Sequence, residues 1–395
     1  MNLTPIWSHL RLITPATLST AIVAFIFATT APFALIIAST VKGGLNEAHI
    51  ASWVFGGFLI NGIISIAFSL YYRQPLLFLW TMPGTVLVGQ ALTHMTLAEA
   101  VGAYVVIGVL VLLLGLSGMV RRVMEAIPMP IVMAMVAGVF LQFCLDWILA
   151  FKQQFWIVAP MSAVFFGLML APALAQKIPP LIAALIVGAV IAVFTGTGNA
   201  VGPLQLTIQL PQLTMPVFSL PALVELVVPV AITVLVVQNG QGIGVLTAGG
   251  HKPPIDTITV ACGVSALLTS TMGAVSSCLT GPVTAILVSS EEREHQYMGA
   301  VVMGALCILF GLTAPFVTRL SLAAPKELIA TLAGLAMLKI LQTSFVAAFK
   351  DRYSLSALMT FVVTVSGISI ANIGSPFWGI VAGYICAKTL DRDVA

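Results

Sequence analysis

Charge is what this chain has least of. Asp, Glu, Lys and Arg together make up 7% of its 395 residues, against about a quarter in soluble domains. Sixteen basic and thirteen acidic side chains leave a formal net charge of +3, too small to suggest a nucleic-acid partner. Cysteine is sparse as well. Cys144, Cys262, Cys278, Cys307 and Cys386 are scattered through apolar runs without metal-ligand spacing and read as small core residues. The chain has no H-E-x-x-H, no G-x-S-x-G and no acidic cluster suited to a metal, which argues against an enzyme. No catalytic residue, cofactor or metal is therefore expected. No cleavable signal is expected either, because the first apolar run is longer than a signal-peptide core.

What the chain has is hydropathy. Apolar residues make up 59% of it. Runs of about 20 apolar residues, the length that spans a bilayer as helix, recur from residue 14 to residue 390. We read an all-α polytopic membrane protein of about fourteen segments. With the N-terminus in the cytoplasm, Arg11, Arg73, Arg121, Arg122, Lys177, Lys252, Arg293, Lys350, Arg352, Lys388 and Arg392 fall inside, and only Lys42, Lys152, Arg319 and Lys326 outside. This positive-inside bias places both termini in the cytoplasm. The polar stretch 198–219 then lies outside, as a linker between two halves.

The halves are alike. Gly102-Ala103 recurs as Gly299-Ala300, Leu114–Ser117 as Phe310–Thr313, Arg122 as Arg319, Pro128 as Pro325, and Ala137-Gly138 as Ala333-Gly334. The offset holds too steadily for chance. Seven segments per half is an odd number, so the second half enters the membrane from the opposite side. The domain reading is 1–197 as a first repeat, 198–219 as external linker and 220–395 as an inverted second repeat, a plan typical of secondary transporters.

Two segments at matching places are poor continuous helices. In 76–93, Pro83-Gly84 interrupts the run; in 275–290, Gly281-Pro282 does. Proline disfavours helix before it and suits a first helical turn. Each segment, the third and the tenth, should be a short extended stretch leading into a half-helix. Inversion brings the two half-helix N-termini together near the midplane, an anion site made of backbone N–H groups and helix dipoles. Each interruption also has the plainer reading of a kink. The eighth segment, 220–248, carries Gln238-Asn239-Gly240-Gln241-Gly242 among valines. Buried amides there are either ligand contacts or helix–helix glue. Glu225, Asp146, His94 and Lys339 are the few ionisable residues near membrane depth, each open to a plain interfacial reading.

At these residues a family resemblance becomes specific. Thr81-Met-Pro-Gly-Thr85, Gln238–Gly242 and Ser276–Pro282 resemble the corresponding segments of the bacterial benzoate membrane transport (BenE) family, and the likeness covers essentially the whole chain. It implies a benzoate/proton symporter of the bacterial inner membrane. The layout is also similar to the uracil/xanthine permease and sulfate-transporter architecture. That likeness implies a core of segments 1–4 and 8–11 and a gate of segments 5–7 and 12–14. Uracil-type relatives place acids in the eighth and tenth segments; here Gln238, Ser276, Ser277 and Thr280 stand instead. The loss suits an anionic substrate, since two carboxylates about 4 Å apart repel by roughly 4 kcal/mol at an effective dielectric of 20.

The expected function is import of benzoate or a similar aromatic carboxylate, coupled to protons by alternating access. Its carboxylate is expected at Pro83-Gly84 and Gly281-Pro282, with Thr81, Thr85, Ser277, Thr280 and Gln238 as side-chain donors. Another small anion or a nucleobase as substrate, or a passive anion channel, are the alternatives. The partners implied are the substrate anion, protons and the lipid bilayer, with no nucleic acid. A Gly379-x-x-x-Gly383 pattern in the last segment leaves an oligomer open.

Overall fold

The computed structural model describes residues 13–126, 128–175, 178–198, 210–289, 293–350, 352–371 and 373–391. Both chain ends, whose side of the membrane the charge bias predicts, and half of the linker, 199–209, lie outside these residues. The helices are α1 Pro15–Lys42, α2 Glu47–Tyr72, α3 Met82–Ala91, α4 Leu97–Ser117, α5 Val120–Ala126, α6 Met129–Gln153, α7 Phe155–Met169, α8 Pro172–Ala175 and α9 Pro180–Thr195. The second half has α10 Leu220–Ala248, α11 Ile255–Ser270, α12 Gly281–Val288, α13 Gln296–Leu312, α14 Ala314–Ala323, α15 Lys326–Phe349, α16 Ser354–Val365 and α17 Ser375–Thr389. Two strands, β1 Phe78–Trp80 and β2 Ser277–Leu279, precede α3 and α12. Seven helices are long and apolar enough to cross a membrane, and four more are apolar but shorter.

Local chemistry explains the ends and irregularities. Thr14 caps α1 through its hydroxyl to the Thr17 N–H, with Pro15 in the first turn. Thr96 and Glu99 form a reciprocal capping box on α4. Pro32 interrupts the α1 ladder, and Thr29 and Thr30 just before it donate to the carbonyls of Phe25 and Ile26, each at 2.9 Å. Both α2 and α10 contain a π-helical stretch, Gly56–Ile60 and Thr233–Asn239, beside the strands. Such bulges are rare and concentrate at functional positions.

Packing relies on small residues, as expected where lipid removes the hydrophobic drive between helices. A Cβ on Gly263 would lie 2.5 Å from the backbone of Leu112, so α4 and α11 meet nearly backbone to backbone. Gly62 and Gly304 do the same between α2 and α13. The helices α6 and α15 pack along each other, while α16 packs on α17 and α7 on α9.

The two strands lie buried at the centre. They pair antiparallel, Phe78 with Leu279, Leu79 with Cys278 and Trp80 with Ser277. The ladder gains one bond at each end, Thr81 N–H to Ser276 O and Thr280 N–H to Leu77 O, both 3.1 Å. A two-stranded ribbon leaves outward-facing N–H groups, which membrane interiors tolerate only when satisfied. Flanking helices supply the acceptors. Ser65 Oγ of α2 accepts from Phe78 N–H at 2.8 Å, Ser69 Oγ from Leu76 N–H at 3.2 Å, and Asn239 Oδ1 of α10 from Leu279 N–H at 2.8 Å.

Candidate functional site

Both Pro-Gly interruptions are the starts of helices. Thr81 is the N-cap of α3 and Thr280 that of α12. Because β1 and β2 run antiparallel, these two starts lie at opposite ends of the short ribbon, Thr81 beside Ser276 and Thr280 beside Leu77. A cavity borders both starts, lined by Phe27 and Pro32 of α1, Trp80, Met82, Gln238 and Thr280, with Leu79, Pro282 and Val283 closing it. Measured as space open to a water centre it is about 10 Å³, room for roughly one water.

The predicted residues divide into two sets. Thr81 is fully buried, and its hydroxyl accepts from Gly84 N–H at 3.3 Å and donates to Thr233 Oγ1 at 3.0 Å. Thr85 donates back to Thr81 O at 2.9 Å. Ser277 shares its hydroxyl with Ser265 at 2.7 Å, and Ser265 donates to Asn61 Oδ1 at 2.7 Å. Pro83, Gly84 and Gly281 are buried in the helix starts. A Cβ on Gly84 would come within 2.3 Å of Thr81 Cγ2, and one on Gly281 within 2.7 Å of Gln241 Cβ. These polar groups hold the ribbon and its helix starts together.

The second set is unspent. Thr280 makes no side-chain cap on α12, and its hydroxyl, 95% buried by residue, has no hydrogen-bond partner among the described residues. With Pro282 in the first turn, the N–H groups of Gly281 and Val283 are the orphan donors of α12. Gln238 is 2% exposed, lines the cavity, and its Oε1 has no hydrogen-bond partner among the described residues. Its neighbour Asn239 is fully engaged, accepting from Leu279 N–H and facing Cys262 Sγ at 3.6 Å.

Sequence reasoning missed Trp80. Its indole N–H is buried without a partner at the cavity wall, while its ring rests on Phe58 at a centroid distance of 4.7 Å. Phe58 continues into Phe310 and Phe33, a run of rings beside the site. The available signal was a tryptophan placed just before a Pro-Gly break. Thr233, which takes the Thr81 proton, carried no such signal.

The remaining ionisable candidates also separate. His94 Nε2 meets Glu225 Oε2 at 2.9 Å, with Glu225 6% exposed. Glu225 also faces the start of α17: a Cβ on Gly374 would lie 2.5 Å from its Oε1. Asp146 accepts from Gln142, and Lys339 donates to Gln342 at the surface. Among the described residues no group of three His, Cys, Asp or Glu is placed to hold a metal ion.

The family model for benzoate membrane transport proteins matches residues 11–389. The chain belongs to this family. The benzoate transport family is thereby joined to the strand and half-helix pair just described. Inner membrane protein YdcO of Escherichia coli K12 is 31% identical over 387 residues, covering 96% of this chain and 97% of its own. The benzoate membrane transport protein of Acinetobacter baylyi is 27% identical over 362 residues, 90% of each chain. Among solved structures, the transmembrane domain of the cyanobacterial bicarbonate transporter BicA matches with a TM-score of 0.61 at 16% identity, covering 94% of this chain and 97% of that one. That likeness speaks for the fold. The chain is a multi-pass membrane transport protein, not an enzyme.

Proposed function

We propose that this chain imports benzoate, or a similar aromatic carboxylate, together with protons across the bacterial inner membrane by alternating access. The observation that carries the reading is the donor set around the central cavity. Thr280 hydroxyl, the first N–H groups of α12 and the Trp80 indole N–H border one buried place that holds no acid, and Gln238, whose unpartnered atom as placed is the acceptor Oε1, joins them as a donor once its amide turns over. Two helix N-termini each add about half a positive charge. A carboxylate is the partner such a set stabilises, and Phe27, Met82 and the Trp80 ring offer its aromatic body an apolar wall. Pro83-Gly84, with Thr81 and Thr85, and Gly281-Pro282, with Ser277, hold the two starts in position. The cavity is too small for a ring as it stands, so one wall has to withdraw before substrate enters.

The architecture proposed is fourteen segments in two inverted repeats, 1–197 and 220–395 about an external linker 198–219, with cytoplasmic termini. Packing supports it. Contact of α4 with α11 and of α2 with α13 are the same contact under exchange of the halves, as are α7 with α9 and α16 with α17. Segments 1–4 and 8–11 form the core that carries the site, and 5–7 and 12–14 the gate against which it moves.

Proton coupling is assigned to the His94–Glu225 pair. Glu225 is the one carboxylate among the described residues that is buried, and imidazole is the side chain that ordinarily changes charge between pH 5 and 8. The pair joins the far turn of α3 to α10 and touches the start of α17, so it spans core and gate. Of the helices that pack on α10, α4 carries Glu99, held by the Thr96 N–H and hydroxyl, and Tyr104, and α17 carries Tyr384 and, at its opposite end, Lys388.

Uptake of labelled benzoate into proteoliposomes, with and without an imposed proton gradient, tests the function. Accumulation above equilibrium only with the gradient is expected. Benzoate flux that is indifferent to the gradient points to a passive channel. Labelled benzoate that is not taken up, with an inorganic anion carried instead, moves the protein to the alternative substrate class.

A further inference from the structure

A large cleft apart from the central cavity has no role in the reading above. It encloses about 510 Å³ between α5, α6, α10 and α11, within the range of small-molecule pockets, about 300–1,000 Å³. Its wall is almost wholly apolar, with Met124, Met129 and Met133 along one side and Val236 and Val237 on another. Two polar side chains interrupt it, Arg121 and Gln241. Arg121 is the only charged residue of the lining and makes no hydrogen bond or ion pair among the described residues. Another cleft, about 350 Å³, differs in kind: Lys42 and Lys326 stand there with Asp146 and Glu327.

The Arg121 cleft adjoins the central cavity. Val236 and Val237 line the one and Gln238, the next residue, lines the other, so only the π-helical stretch Thr233–Asn239 divides them. Gln241 lies against Gly281 at the start of α12, and a shallow depression shares Gln241 with the cleft and Pro282 with the central cavity. An isolated guanidinium over methionine and valine walls is complementary to a flat apolar body with one negative end. Thioethers adapt to ring edges, and the planar fork of arginine matches a carboxylate.

The geometry points to a second substrate site: the Arg121 cleft binds the aromatic carboxylate on the cytoplasmic side of the π-helix, as a staging site between the central cavity and the cell interior. The inference rests on the functional reading above, which supplies the ligand class. It adds a place and residues that the paired half-helices do not include.

The probe is benzoate itself, read by protection of a cysteine. Met129 is 47% exposed and lines the cleft, whereas all five native cysteines are buried. In Met129→Cys, benzoate should slow labelling by a small maleimide. Adding Arg121→Gln should raise the half-protecting concentration about tenfold, the weight of one partly exposed ionic contact, and Arg121→Lys should raise it less than threefold. In a Gln238→Glu background, which blocks the central cavity, protection should persist within about threefold. Protection that vanishes with Gln238→Glu, or that ignores Arg121→Gln, overturns the staging site, since it then reports only movement at the centre. Met129→Cys protein that transports benzoate but shows no protection overturns this inference alone. Protein that neither transports benzoate nor is protected overturns the functional reading with it.

Discussion

The half-helix Met82–Ala91 begins with a filled cap, and the half-helix Gly281–Val288 with an empty one. Both start with proline in the first turn after a three-residue strand, and both N-cap threonines are buried. Thr81 nevertheless spends its hydroxyl on Gly84 and Thr233, while Thr280 at the matching place spends its hydroxyl on nothing. Both far ends are tied, the turn after α3 through His94 to Glu225 and the last turn of α12 through Gln296, which donates to Val288 O at 2.8 Å. One arm is fastened at both ends and the other is open at the centre. An inverted pair, once its two members sit in different surroundings, is free to divide its labour. The fastened arm is suited to transmit a change of protonation, and the open arm to receive the anion.

Breaking the fastened arm at its outer end should give the largest effect. Glu225→Gln removes the carboxylate without removing bulk, and His94→Gln removes its partner. In either variant gradient-driven accumulation of benzoate should fall to the level reached without a gradient. Counterflow exchange, which needs the site and the gate movement but no net proton, should stay within about threefold. It also serves as the control for folding, because breaking a buried pair costs several kcal/mol. Full accumulation in Glu225→Gln would remove the pair from the coupling path.

Next in size is a charge placed in the open arm. Gln238→Glu sets a carboxylate against the substrate's own, a loss of about two to three decades in affinity relative to Gln238→Ala. Alanine forfeits about one charge-assisted hydrogen bond. Binding of benzoate to purified Gln238→Glu should recover between pH 8 and pH 5, as the introduced acid takes up a proton and becomes a near-isostere of glutamine. Wild-type affinity across that range would move the carboxylate away from α10.

A direct comparison of the arms comes from two matched changes. Thr280→Val should weaken benzoate binding by about ten- to hundredfold, one hydrogen bond to a charged group, and leave the melting temperature nearly unchanged. Thr81→Val should do the reverse. It removes a cap and a buried hydroxyl pair, worth about 1–2 kcal/mol of stability, and should alter affinity less than threefold. If Thr81→Val proves the more damaging to binding, the division between the arms is wrong.

That division could not be read from the residues. The breaks at Pro83-Gly84 and Gly281-Pro282 were legible, because proline and glycine act on the backbone locally and their effect does not depend on distant partners. The strands before them followed from the same rule. Which polar side chains remain unspent is a property of the assembled structure. Gln238 and Asn239 are adjacent amides of similar chemistry, and only the position of Leu279 N–H decides that Asn239 is occupied and Gln238 is not. The same holds for Thr81 against Thr280, settled by Thr233, and for His94 and Glu225, 131 residues apart, which nothing in the chain order joins. Trp80 escaped notice because a tryptophan in an apolar run is ordinarily core. Its ring is core here, and only the unpartnered indole N–H says more.

Trp80 gives the smallest expected effect and the sharpest separation of ring from carboxylate. Trp80→Phe keeps an aromatic face against Phe58 and deletes the N–H, so it should cost benzoate about three- to tenfold in affinity, one neutral donor lost to an anion in a nearly dry site. The same variant should leave binding of uncharged benzamide within about twofold, since a neutral carbonyl gains far less from that donor. The two ligands share the ring, so their ratio isolates the contact to the charged end. An equal loss for both would mean that Trp80 meets the ring through its face and that the carboxylate is held wholly by Gln238, Thr280 and the start of α12.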